Sequence, residues 1–178
     1  MLDQAGVEFE VRSPDFDEIS AKLEHGGDGE SLALHLAEGK AASIAAGTND
    51  WVIGSDSSVA VDGVQYSKPR NREEAAAHLR AFSGRTMSLS SAVALANAGK
   101  IDWSRAETAR LSVRNLSEDF IQSYLDQEWP DVAYCVGVFR MEGRGVTLFD
   151  RVEGSHFTIL GMPLLPLLGA LRARGLIS

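Results

Sequence analysis

The most informative stretch of the chain reads Trp51-Val52-Ile53-Gly54-Ser55-Asp56-Ser57-Ser58-Val59-Ala60-Val61. Its β-branched and apolar ends predict a strand, and Asp62-Gly63 predicts the turn that follows. A carboxylate in the middle of a strand destabilises a protein if it is buried without a partner. Small neighbours would let a ligand approach the backbone here. Asp56 is therefore either a functional carboxylate, suited to a metal or a water, or part of a polar patch on an edge strand.

Helical and strand-like patterns alternate on both sides of this stretch. The spacing of apolar residues and the capping signals predict helices over 31–46, 71–82, 117–129 and 163–174. Alternating or continuous apolar runs predict strands over 7–12, 51–61, 86–96, 101–114, 133–139 and 146–149. This alternation predicts the α/β class, with a mixed sheet flanked by helices in a single domain over residues 1–178.

Composition narrows the classes of function. The chain has 178 residues, of which 17 are Lys or Arg and 25 are Asp or Glu, so its formal charge is −8. That charge disfavours extended nucleic acid and anionic lipid as partners, although a local pocket of lysines could still bind a small anion. The single Cys135 excludes an intrachain disulfide, and no apolar run reaches the length of a membrane span. Together with the lack of a signal peptide, these features predict a cytoplasmic protein with no membrane partner.

Two lysines and an acidic segment are further candidates for site residues, although their sequence patterns are less specific than that of Asp56. Lys68 precedes Pro69, so its backbone is extended and its ammonium could point at a phosphate, although such a pair is usually a surface turn. Lys40 lies on a helix rich in alanine and leucine, where a lysine is usually at the surface. The acidic residues of 15–18 are typical of a solvated loop. None of these features alone assigns a function.

Taken in order along the chain, the motifs resemble the Maf family of nucleoside triphosphate pyrophosphatases. The matching blocks are Gln4-Ala5-Gly6, Pro14-Asp15-Phe16-Asp17-Glu18, Ala37-Glu38-Gly39-Lys40-Ala41, Ile53-Gly54-Ser55-Asp56, Ser67-Lys68-Pro69, Ser83-Gly84-Arg85, residues 137–149, Glu153-Gly154 and Leu160-Gly161-Met162-Pro163-Leu164. The blocks Phe-x-x-Glu-Gly-x-Gly and Leu-Phe-x-Arg-x-Glu-Gly are most similar to the branch that hydrolyses 7-methyl-GTP. The family's Ser-x-Ser-Pro-x-Arg segment is absent from the sequence, so a truncation at the N-terminus is expected.

The resemblance implies a twisted sheet like that of inosine triphosphatase and an enzyme that cleaves a nucleoside triphosphate between its α- and β-phosphates. It implies a divalent cation, Mg²⁺ or Mn²⁺, held by Asp56 and Glu18. Asp56 is then the general base or metal-associated carboxylate, with Glu18 as its acidic partner. Lys40 and Lys68 complete the catalytic set as the cations that face the phosphates.

The resemblance also implies how substrate and partners are recognised. Ser55 and Arg140 are expected to contact substrate, and Glu142 is expected to read the edge of the base. A homodimer is expected as well. The alternatives are a dTTP or UTP pyrophosphatase, or a catalytically impaired protein that binds nucleotide or regulates septum formation.

Overall fold

The computed structural model describes residues 1–178 and contains one five-stranded sheet. Its strands are β1 (Trp51–Val61), β2 (Val64–Tyr66), β3 (Thr86–Asn97), β4 (Lys100–Val113) and β5 (Phe149–Glu153). Their spatial order is β2-β1-β3-β4-β5. The sheet accompanied by helices confirms the α/β class that the sequence predicts.

All pairings in the sheet are antiparallel. Both edge strands, β2 and β5, pair antiparallel with their neighbours. The start of β3 lies beside the end of β1, where Arg85 is 3.1 Å from Asp62, and the end of β3 lies beside the start of β1, where the Asn97 amide donates to the Asp50 carbonyl. A tight turn with positive φ at Ala98 and Gly99 reverses the chain from β3 to β4. The parallel pairing that a mixed sheet would contain is therefore absent.

Six α-helices accompany the sheet. They are α1 (Glu18–Glu24), α2 (Gly29–Ser43), α3 (Arg72–Phe82), α4 (Glu118–Glu128), α5 (His156–Ile159) and α6 (Leu164–Ala173). Side chains cap the first four, because Asp17, Asp28, Asn71 and Ser117 each accept a hydrogen bond from a free backbone N–H of the first turn. None of the helices combines the length and the apolar character that crossing a membrane requires.

The chain divides into two compact units. The first contains residues 1–57, 91–107 and 161–178, and the second contains residues 58–90 and 108–160. The first unit has one apolar cluster around Val93, Leu95 and Leu167 and another made of alanines from α2 and β3. The second unit has a larger core that includes Leu79, Phe82, Leu111 and Leu125. Burial of these apolar side chains supplies the main stabilisation within each unit.

Three predicted strands are wrong. Residues 7–12 alternate as a strand does, yet they form no ladder, and Phe9 and Val11 are 51% and 84% exposed. Residues 133–139 instead contain the end of a 3₁₀ helix, Asp131–Tyr134, and Val138 has a φ of 57°, which a strand does not allow. Residues 146–148 belong to a second 3₁₀ helix, so the strand begins only at Phe149.

Candidate active site

The first unit brings three of the predicted catalytic residues together. The Lys40 ammonium forms an ion pair with the Asp56 carboxylate and lies 2.9 Å from Oε2 of Glu18. The other oxygen of Glu18 accepts a hydrogen bond of 2.7 Å from Lys22, one helical turn further along α1. We call Glu18, Lys22, Lys40 and Asp56 the carboxylate–lysine cluster. The Asp56 side chain is only 10% exposed, so it depends on Lys40 for its charge balance.

Close packing of α2 on β1 puts Lys40 beside Asp56. A Cβ atom at Gly54 would lie 2.3 Å from the Ala37 carbonyl oxygen and 2.7 Å from the Ala41 amide nitrogen. Only glycine fits at such a distance, because a real Cβ cannot approach backbone atoms so closely. The surrounding buried residues are all alanines: Ala33, Ala37, Ala41, Ala92, Ala94 and Ala96. Small residues on both sides therefore let the helix lie against the strand within reach of one lysine side chain.

A second close contact fixes the start of α1 and with it Glu18. The ring of Phe16 covers Gly39 of α2, where a Cβ would come within 2.3 Å of ring atoms. Asp17 then caps α1 by accepting hydrogen bonds from the amides of Ile19 and Ser20. The segment predicted as a solvated acidic loop thus ends in a helix whose first residue, Glu18, faces Lys40.

The charges of the cluster stabilise one another. Burial raises the pKa of Glu18, but hydrogen bonds from Lys22 and Lys40 outweigh burial and lower that pKa to about 2. Burial lowers the pKa of Lys40, while its hydrogen bonds to Asp56 and Glu18 raise it above its ordinary value. Glu18 and Lys40 are therefore charged at neutral pH, and the cluster is a preformed arrangement in which two carboxylates meet at the Lys40 ammonium and Lys22 pairs with the other oxygen of Glu18.

Ser55, the predicted substrate contact next to Asp56, is already engaged in the first unit. Its hydroxyl lies 2.9 Å from the Ala92 carbonyl oxygen and 3.0 Å from the Gly161 carbonyl oxygen. Successive residues of a strand point to opposite faces, so this hydroxyl lies on the face opposite to Asp56. The role of Ser55 in binding substrate stays a prediction.

The other predicted site residues belong to the second unit and lie around Cys135. Burial raises the pKa of the Cys135 thiol; the charge of Glu142 raises it further, and the charges of Arg140 and Lys68 oppose that effect. Lys68 and Glu142 are both exposed, and neither makes a hydrogen bond or an ion pair. The second unit thus carries one free ammonium and one free carboxylate within electrostatic range of the same thiol.

Both terminal nitrogens of Arg140, in contrast, face carboxylates that were not predicted as site residues, while its buried Nε has no hydrogen-bond partner. Its guanidinium lies 3.2 Å from Glu128 and 2.9 Å from Asp131. No local pattern points to this arrangement, because Glu128 is the last residue of α4 and Asp131 begins a 3₁₀ helix. Lys22 was also missed, although its spacing of four residues from Glu18 is a recognisable signal for a helical ion pair.

Comparison with known proteins places the chain in one family. The family model described as Maf-like protein matches residues 1–174. A "7-methyl-GTP pyrophosphatase" from Rhizobium meliloti (strain 1021) is 42% identical over 100% of this chain and 92% of its own length. A "Nucleoside triphosphate pyrophosphatase" from Sphingopyxis alaskensis is 45% identical over 99% of this chain and 91% of its own length. Another protein with the latter name, from Nitrobacter winogradskyi, is 41% identical over 100% of this chain and 89% of its own length.

Proposed function

The chain belongs to the Maf family, and from this premise we propose that it hydrolyses a nucleoside triphosphate to the monophosphate and pyrophosphate. The observation that carries the proposal is the carboxylate–lysine cluster, in which Glu18 and Asp56 converge on Lys40. Hydrolysis of a phosphoanhydride needs a base for water and positive charge for the phosphates. The cluster contains both kinds of group in a partly buried setting.

The residues of the cluster also fit a divalent cation. Two carboxylates already surround one positive charge, that of Lys40, and oxygen is the ligand that Mg²⁺ prefers. No group of three or more His, Cys, Asp or Glu residues forms a metal cage. This agrees with the usual mode of Mg²⁺ in nucleotide enzymes, where one or two carboxylates are joined by substrate phosphates and waters. Glu18 and Asp56 would hold the cation, which supplies neutralisation of the phosphate charge.

The remaining chemistry is assigned to side chains of this protein. The Asp56 carboxylate accepts the proton of the attacking water. The water oxygen bonds to the α-phosphorus. The bond between that phosphorus and the bridging oxygen breaks, and its electron pair leaves with pyrophosphate. Lys40 preserves the charge of the two carboxylates, and the unpartnered Lys68 offers its ammonium to the phosphates.

We assign the preference for 7-methyl-GTP to Glu142. Its carboxylate is exposed and has no partner of its own. Guanine presents two adjacent N–H donors to such an acceptor, and methylation at N7 gives the base a positive charge. Uracil and thymine present a single N–H between two carbonyl oxygens, which a carboxylate repels. The names of relatives such as the one from Rhizobium meliloti agree with this preference.

A substrate panel tests the proposal. Pyrophosphate release is followed with 7-methyl-GTP, GTP, dTTP and UTP, each with Mg²⁺ and with Mn²⁺. We expect the highest kcat/KM for 7-methyl-GTP, about tenfold or more above the others, and loss of turnover with a chelator. A higher kcat/KM for dTTP or UTP would contradict the role of Glu142. Nucleotide binding without any turnover would contradict the pyrophosphatase itself.

The organisation of the active protein is proposed from the sequence patterns and, for the homodimer, from the family resemblance. We propose one domain that acts in the cytoplasm as a homodimer. Light scattering on the purified protein checks the dimer directly, and a monomeric mass at micromolar concentration would contradict it.

A further inference from the structure

Arg140 is held in the second unit by two carboxylates that have no assigned role. One of its terminal nitrogens lies 3.2 Å from Oε2 of Glu128, and the other lies 2.9 Å from Oδ2 of Asp131. The Glu128 side chain is only 6% exposed, and its charge is balanced by Arg140. A buried carboxylate without a partner is strongly destabilising, so this pair fixes where the guanidinium lies.

The free carboxylate of Glu142 is two residues away. Arg140 and Glu142 lie in one tight turn, in which the Gly143 amide donates a hydrogen bond of 3.1 Å to the Arg140 carbonyl oxygen. The hydrogen bond to Glu128 raises the pKa of Arg140 most, and the charges of Asp131, Glu128 and Glu142 raise it further. The guanidinium is therefore within electrostatic range of Glu142, yet it donates its hydrogen bond to Glu128 and forms its second ion pair with Asp131 instead. An arginine left without those two partners would pair with Glu142, because a guanidinium and a carboxylate form a strong bidentate pair.

We propose that Glu128 and Asp131 are positioning residues for substrate specificity, which keep Arg140 off Glu142 and so leave Glu142 free to bind a cationic purine base. The inference rests on the proposed function for the identity of the ligand. Physically, the carboxylates of Glu128, Asp131 and Glu142 compete for the guanidinium of Arg140. If Arg140 paired with Glu142, the guanidinium would occupy the oxygens that the base needs and would cancel the charge that favours a methylated guanine.

The test compares a double variant with a triple variant. Glu128→Gln with Asp131→Asn removes both charges, keeps side-chain size, and releases Arg140. We expect KM for 7-methyl-GTP to rise about tenfold or more, with little change in kcat, since a charged hydrogen bond is lost on binding. The kcat/KM for dTTP should stay unchanged. Adding Arg140→Met removes the released cation, so KM for 7-methyl-GTP should return toward the wild-type value.

If Glu128 and Asp131 only stabilise the fold, the triple variant should be more impaired than the double variant, because it loses more packing. A triple variant that is as impaired as the double, or more so, overturns the inference, and this includes the case in which Arg140 itself contacts substrate. Crystal structures of the double variant without nucleotide give an independent readout. Arg140 within hydrogen-bond distance of Glu142 supports the competition, and Arg140 elsewhere overturns it. This readout decides the inference even if the wild-type protein hydrolyses no nucleotide and the proposed function fails.

Discussion

At the scale of single residues, Lys40 explains how two carboxylates can lie side by side in a partly buried place. Two negative charges at short range repel each other, and the ammonium between Glu18 and Asp56 reverses that effect. Exposed ion pairs contribute little to stability, but the ion pair of Lys40 with Asp56 is partly buried, because the Asp56 side chain is only 10% exposed. The cluster is thus a local feature of charge balance.

The charge state of Glu18 makes stability depend on pH in a definite direction. Its pKa falls from 4.5 to about 2 on folding, so its ionisation stabilises the folded state above about pH 4.5, and this stabilisation is lost as pH falls toward 2. We expect Glu18→Gln to destabilise the protein more at about pH 7 than at about pH 3. Urea unfolding at both pH values measures the difference.

Glu24→Gln is the matched control for this prediction. Glu24 ends the same helix and makes no ion pair, so its substitution should change stability little at either pH. A loss of stability in Glu18→Gln that is equal at the two pH values would show that its ion pairs with Lys22 and Lys40 are not what stabilises the fold.

At the scale of elements, the contact of α2 with β1 determines whether the cluster forms. The contact is between backbone atoms of α2 and Gly54, so the helix cannot adjust to a larger residue by rotating a side chain. Lys40 lies next to Ala41, one of the contact points, and moves with the helix. The position of Lys40 relative to Asp56 therefore depends on the smallest residue of the strand.

Gly54→Ala tests this dependence. The added methyl would overlap the Ala37 oxygen and the Ala41 nitrogen, so α2 must shift away from β1 and carry Lys40 with it. We expect lower stability to urea and a fall in kcat/KM of about 10²-fold, the typical effect of misplacing a catalytic group by about 1 Å. Gly169→Ala is the control, because a Cβ at Gly169 of α6 meets nothing within 4 Å. Equal activity of the two variants would contradict the positioning role of the contact.

Elements that depend on local spacing could be predicted from the sequence, and contacts between distant segments could not. The strand β1, the helices α3 and α4 and their caps at Asn71 and Ser117 depend on local spacing, and they were predicted with bounds close to those observed. The strand over 7–12 was wrong because alternation describes a surface and does not supply a neighbouring strand to bond with. Glu18, Lys40 and Asp56 were grouped only by the family resemblance. Their spacing along the chain carries no sign that three separate elements meet.

At the scale of the whole molecule, the protein is acidic and its proposed substrate is a polyanion. A net charge of −8 opposes the approach of a triphosphate, so binding depends on local positive charge from lysines and a divalent cation. We propose that the carboxylate–lysine cluster breaks the bond between the α- and β-phosphates, with Asp56 as the base.

The most direct measurement is product identification by ³¹P NMR, with 7-methyl-GTP and Mg²⁺, on the wild type and on Asp56→Asn. The substitution keeps the volume of the side chain and removes its charge, and Lys40 keeps Glu18 as a partner, so the fold should be retained. We expect the wild type to give 7-methyl-GMP and pyrophosphate in equal amounts. The folded variant, checked by circular dichroism, should lose about 10²-fold or more of kcat. A diphosphate and inorganic phosphate as products, or a variant that keeps more than about a tenth of wild-type kcat, would contradict the account.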